Sequence, residues 1–183
     1  MFDIKIKPQI KEYSLSLIKK YNFGKRNINN GTIDQQLTGI IGQNTILHEC
    51  NMDLIKGDTG FDGGKDMKVG RNIVDIKTMT RTVRPKINYI NNFEPLQDKN
   101  IYKTNVYIFA SLNKKNDILT VCGWISRNGL RQKGKFYKKG DIRPRGMETM
   151  LLTKDNIEIS NSDLNVVFNS EHMLDQIYME ENN

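Results

Sequence analysis

The chain has 183 residues, 37% hydrophobic and 27% charged, with a net charge of +7, which fits one globular domain with its own core; no internal repeat or low-complexity linker marks a second. No segment approaches the ~18 consecutive apolar residues of a membrane span, and no apolar run follows Lys5, Lys7 and Lys11, so neither a membrane helix nor a signal peptide is expected. Cys50 and Cys122 form no C-x-x-C pair and sit among apolar residues, which points to reduced buried thiols and a cytoplasmic location rather than to a disulfide or a zinc site.

Taken in chain order, Ile10, Tyr13, Leu17, Ile18 and Tyr21 share one face and predict a helix over about 9–21, followed by a Gly/Asn loop at 24–31. Ile33, Leu37, Ile40, Ile41, Asn44 and Leu47 predict a second helix, with Thr32 as its N-cap and Glu49 near its end. Residues 66–69 and 73–77 alternate polar and apolar side chains around Gly70-Arg71-Asn72, the pattern of a β-hairpin. Pro85 and Pro95 interrupt residues 78–100, and the Asn-rich patch 88–92 suggests an irregular excursion available as a substrate loop. Strands are expected near 104–112 and 118–126, joined by a polar turn at 113–116, with Trp124 in the core. A basic, irregular segment to about 147, strand-like runs at 150–153 and 157–159, and a helix at 170–179 complete the reading.

The hairpin carries the chemistry. A turn centred on Gly70-Arg71 sets Asp66 across from Asp75, puts Lys77 on the same face, and turns Met67, Val74 and Ile76 to the core. Carboxylates facing each other at roughly 5 Å repel, and both stay ionised most readily around a divalent cation, for which magnesium is suited. A wet surface hairpin is the plain alternative for any isolated Asp-x-Lys. A calcium loop starting at Asp58 is disfavoured, because Gly60 and Val69 stand where oxygen ligands are required. Between the two upstream acids, the register favours Asp66, whereas Asp62 precedes the bend expected at Gly63-Gly64.

A helical Glu49, then Asp62-Gly63-Gly64-Lys65-Asp66 leading into Asp75-Ile76-Lys77, then a strand with Gly123-Trp124-Ile125, resembles the PD-(D/E)xK nuclease superfamily in its phage and bacterial forms. The resemblance implies an α/β fold with a restriction-endonuclease-like core, a central mixed β-sheet flanked by helices. It implies one domain over 1–183, with 30–126 as catalytic core, 127–154 as basic segment and 155–183 as acidic C-terminal segment. The implied metal ligands are Glu49, Asp66, Asp75 and the backbone carbonyl of Ile76, holding Mg²⁺ with Mn²⁺ able to substitute, and Asp62 in the outer sphere. Lys77 would orient or deprotonate the attacking water. The implied activity is hydrolysis of phosphodiester bonds in DNA, in the host cytoplasm if the chain is phage-encoded. RNA as substrate, a catalytically silent binding relative, and homo-oligomerisation stay open, and no membrane partner is expected.

Charge is unevenly spread. Residues 155–183 hold seven acids and no Lys or Arg, leaving the first 154 residues at +14. Arg127, Arg131, Lys133, Lys135, Lys138, Lys139, Arg143 and Arg145 face Asp141 alone, with Phe136 and Tyr137 interleaved. Such a segment holds phosphates by charge while its aromatics stack or pack; a solvated lysine-rich loop is the alternative. His48 and His172 have no recognisable nucleophile partner and are left out of the site.

Overall fold

The computed structural model describes residues 1–23, 31–57, 65–93, 103–145 and 148–180. Asp62, the Gly63-Gly64 bend and most of the 24–31 loop therefore lie outside the described residues, as does the 94–100 end of the excursion.

Strand β1 (Phe2–Lys5) and helix α1 (Pro8–Lys20) open the chain and helix α2 (Ile33–Glu49) follows. Thr32 caps α2 through a reciprocal box: its side chain accepts from Gln35 N, and Gln35 Oε1 accepts from Thr32 N. The hairpin strands β2 (Met67–Val69) and β3 (Asn72–Thr80) come next, then β4 (Ile90–Phe93), β5 (Val106–Asn113) and β6 (Ile118–Ser126). The chain continues through helix α3 (Arg127–Lys133), β7 (Lys135–Tyr137), a hairpin of β8 (Ile142–Arg145) and β9 (Glu148–Leu151), and β10 (Asn156–Ser160). A 3₁₀ turn at Asn161–Asp163 precedes helix α4 (Ser170–Met179).

The described strands form a mixed central sheet in the order β1-β6-β5-β3-β2, a smaller sheet β4-β10-β7, and the β8-β9 ribbon. Only the β3–β5 pair of the central sheet is parallel, running from Val74↔Val106 to Thr80↔Leu112. Alternation along these strands divides the core in two. On one face Val74, Ile76, Val106, Ile108 and Val121 meet Ile41, Ile46 and Leu47 of α2 and Met173 and Ile177 of α4. On the other, Tyr107, Phe109, Cys122 and Ile125 meet Leu130 of α3 and Ile159 of β10. Helices flank the sheet, and the small sheet covers much of its second face. No helix among the described residues is long and apolar enough to cross a membrane.

Several sequence expectations need correcting. Ile33, assigned to the inner face of α2, is 71% exposed, because it occupies the first turn before the helix reaches the sheet. The Asn-rich patch is not a free excursion: Ile90–Phe93 pairs with β10, and buried Asn91 donates to Asn161 Oδ1 at 2.7 Å. The segment after Ser126 is not irregular but folds as α3, β7 and β8. Strand β1 is an addition to the expected elements, although Phe2, Ile4 and Ile6 alternate as a strand should.

Two glycines allow close approaches. At Gly123, φ is +151° and a Cβ would stand 2.6 Å from Asn165 O. The β5–β6 register slips by one residue there, passing over Cys122. At Gly42, a Cβ would overlap the Thr78 side chain, so α2 lies directly on β3 only because that position is bare. Gly42→Ala is therefore expected to cost about 1–3 kcal/mol by urea unfolding, and Thr78→Ala in the same chain should recover part of that stability. An additive double variant would disprove the contact.

Burial raises both thiols, Cys50 to about 11 with a further push from Glu49, and Cys122 against an opposing hydrogen bond to Ser111. Both cysteines are free. Iodoacetamide at pH 8 should therefore label the native protein far more slowly than the urea-unfolded chain, with the rate rising at higher pH as thiolate forms.

Candidate functional site

The β2–β3 hairpin is held from two sides. Asn72 Nδ2 donates to Ile177 O of α4 at 2.6 Å, and Asn105 Nδ2 donates to Asn72 Oδ1 at 2.6 Å. The backbone N–H of Ile73 donates to Asn105 Oδ1 at 2.7 Å, and the N–H of Asn105 returns to Ile73 O at 3.0 Å. The turn end of the hairpin is thus tied to the C-terminal helix and to the start of β5.

The turn falls at Gly70-Arg71, with Met67↔Val74 and Val69↔Asn72 in register. Asp66, however, does not continue the ladder. Its backbone N–H bonds to Val74 O at 3.0 Å, the residue already paired with Met67, and its carboxylate Oδ2 accepts the Ile76 N–H at 2.6 Å. A side-chain oxygen thus takes the place of the main-chain carbonyl that a regular ladder would offer, and the expected Asp66–Asp75 pairing becomes a contact between Asp66 and the backbone after Asp75. In a strand the N–H and C=O of one residue point to the same neighbour. The Ile76 carbonyl therefore also faces the side on which Asp66 stands.

Asp75 projects from the opposite face of β3 to Val74 and Ile76, in register with Tyr107. It is only 2% exposed. Lys77 Nζ lies 2.8 Å from Asp75 Oδ2, close enough for an ion pair, yet that oxygen has no hydrogen-bond partner of suitable geometry among the described residues. The Lys77 side chain keeps 20% of its surface in solvent, so the pair opens to the outside through the lysine.

The hairpin therefore brings Asp66, Asp75, Ile76 and Lys77 together. Glu49 does not join them. It is exposed at the end of α2, which packs on the Val74 and Ile76 face, whereas Asp75 and Lys77 leave the other face. No group of three or more Asp, Glu, His or Cys side chains among the described residues is placed to hold a metal ion. Glu49 is therefore not grouped with the two hairpin acids as a third side chain around one metal position among the described residues.

The basic segment divides as well. Arg143 Nε lies 2.6 Å from Glu158 Oε1, and both side chains are largely buried, so this guanidinium secures the β8-β9 ribbon to β10 rather than standing ready for a phosphate. Lys133 Nζ donates to Asp163 O at 3.3 Å, and Lys135 Nζ lies 5.0 Å from the centre of the Tyr137 ring. Arg127 and Arg131 have contacts of their own within the fold. No carboxylate among the described residues forms an ion pair with Lys133, Lys135, Lys138 or Lys139. Sequence reasoning does not find Asn105 and Asn72, which hold the hairpin; each is a polar residue next to a strand, and spacing offers no sign of their long-range partners.

No protein-family model, curated protein or solved structure matches this chain.

Asp66 accepts the Ile76 N–H, and the sequence resemblance implies for it a second, separable role as a cation ligand. Asp66→Ala should lower stability by about 1–2 kcal/mol through the orphaned Ile76 N–H, whereas Asp66→Asn keeps an acceptor and should cost less. Thermal melts with and without Mn²⁺ separate the roles: the parent chain should show a cation-induced rise in Tm, and neither variant should.

Proposed function

We propose that this chain is a divalent-cation-dependent nuclease that hydrolyses phosphodiester bonds in DNA, built on a restriction-endonuclease-like core. The observation that carries the reading is the buried Asp75 carboxylate, paired with Lys77 at 2.8 Å and one residue from the backbone that Asp66 grips. A mixed sheet flanked by helices, with the hairpin near one edge, is consistent with it.

Two carboxylates and one carbonyl fit Mg²⁺, which commonly takes one or two protein carboxylates and keeps several waters. Asp66, Asp75 and the Ile76 carbonyl would hold it, with Glu49 completing the site through water. When bound, Mg²⁺ or Mn²⁺ supplies Lewis-acid polarisation of the phosphate and a more acidic water. The protein's own groups do the rest. The Asp75 carboxylate, withdrawn from solvent, fixes Lys77 in position by attraction at short range. Lys77, partly open to solvent, orients the attacking water at Nζ and offsets negative charge as it builds on the phosphorane oxygens. A compact ammonium with three donors suits that position better than a planar guanidinium.

Supercoiled, linear and single-stranded DNA and RNA, each incubated with Mg²⁺, Mn²⁺ or EDTA, test the proposal. DNA should be cut with either metal and not with EDTA. Asp75→Asn and Lys77→Ala should each lower turnover by about 10²–10⁴-fold with the fold retained by circular dichroism. Near-normal turnover in either variant would remove the hairpin as the catalytic centre. Binding without cleavage under every condition would make the chain a silent binding relative.

A further inference from the structure

Strand β7 is an edge of the small sheet among the described residues, and its central side chain, Phe136, is 50% exposed although it pairs with Ile157, whose side chain packs toward the second core. Half of the Phe136 surface is open to solvent. Around it along the chain stand Lys133 and Lys135 before, Lys138 and Lys139 after, all exposed and none in an ion pair with a described carboxylate. Two acids stand beside them: Asp141 Oδ2 accepts from Lys138 N at 2.8 Å and Asp155 Oδ1 accepts from Lys139 N at 2.8 Å, so both carboxylates shape the turn and the four lysines outnumber them. An apolar ring on a strand at the sheet edge, set among an excess of positive charge, matches a polyanion that also offers flat apolar faces. Duplex DNA keeps its base faces stacked inside the helix; single strands expose them.

We infer that the β7 edge is a binding site for single-stranded DNA, in which a base stacks on Phe136 while the four lysines hold the flanking phosphates. Phe136 and the Asp75–Lys77 pair lie on the same side of the central sheet, since β10 and α3 cover the face from which Asp75 and Lys77 project. The inference rests on the nuclease reading for its choice of DNA and deepens it by naming the form of DNA held. It differs from a generic phosphate-binding surface because the ring, and not only the charge, contributes.

The test uses the full chain carrying Asp75→Asn, in EDTA, so that binding is read without cutting. Fluorescence anisotropy with a labelled oligothymidylate, a blunt duplex and an oligouridylate gives affinities across a range of salt. The single strand of DNA should bind most tightly. Phe136→Leu, which keeps apolar packing against Ile157 but removes the ring, should weaken that binding about tenfold with the salt slope unchanged, and Phe136→Trp should preserve it. Replacing Lys135, Lys138 and Lys139 with Gln should instead reduce the slope of log K against log salt by about 0.7 for each phosphate no longer neutralised. Equal binding by Phe136→Leu, preference for the duplex, or tighter binding of the RNA would each overturn the inference. Failure here can be told from failure of the nuclease reading: a chain that binds the single strand through Phe136 but never cuts sinks only the latter, and one that cuts duplex while ignoring Phe136 sinks only the former.

Discussion

A carboxylate that stands in for a backbone carbonyl is the contact on which the rest of the candidate site depends. Strand β2 stops at Met67, and without Asp66 the Ile76 N–H would have no partner beyond the end of the ladder. An unpaired buried backbone donor costs about 1–3 kcal/mol, so the side chain is held where it is by the need of the strand as well as by any ligand. The same bond turns the Ile76 carbonyl to the Asp66 side and brings a second carboxylate beside the residue after Asp75. Ending a ladder with a side chain concentrates oxygen atoms at one strand end.

The two faces of the central sheet carry different work. The face toward α2 and α4 is a dense aliphatic layer, in which bare Gly42 lets the helix settle against Thr78. The opposite face has aromatic and sulfur-containing residues, a smaller sheet for cover, and an ionised pair, Asp75 and Lys77, next to the edge strand. Burying a carboxylate in this way stabilises little by itself, since desolvation offsets much of the attraction between the charges. Its presence on a strand otherwise built to pack is the feature on which the proposed function rests.

Positive charge in the chain is not all surface charge. Arg143 pairs with Glu158, itself 7% exposed, and so belongs to the structure that fastens the ribbon. The lysines around β7 differ from it in kind: they are exposed, and the carboxylates near them in sequence serve backbone N–H groups instead. Counting cations along a segment treats these alike. Their partners distinguish a fastening from a surface.

The elements governed by local rules were legible in the amino-acid order alone. The Thr32 cap with Gln35, the Gly70-Arg71 turn with its two-residue alternation, strands β5 and β6, and the final helix at Ser170–Met179 all follow from contacts a few residues apart. So did the joint placement of Asp75 and Lys77 on one face of β3, because alternation in a strand needs no tertiary information. The slip of register at Asp66 was not legible: it arises where β2 ends, and only the assembled ladder shows which oxygen is left to accept the Ile76 N–H. The seat of α2 was equally beyond reach, since helical period gives the exposed and buried sides of a helix but not which face of a distant sheet receives it. The Asn72–Asn105–Ile177 ties and the Arg143–Glu158 pair join residues far apart in the chain. Local sequence chose the pieces of the hairpin, and tertiary packing decided which side chains it gathers, because the energy of those gatherings comes from partners that no short window contains.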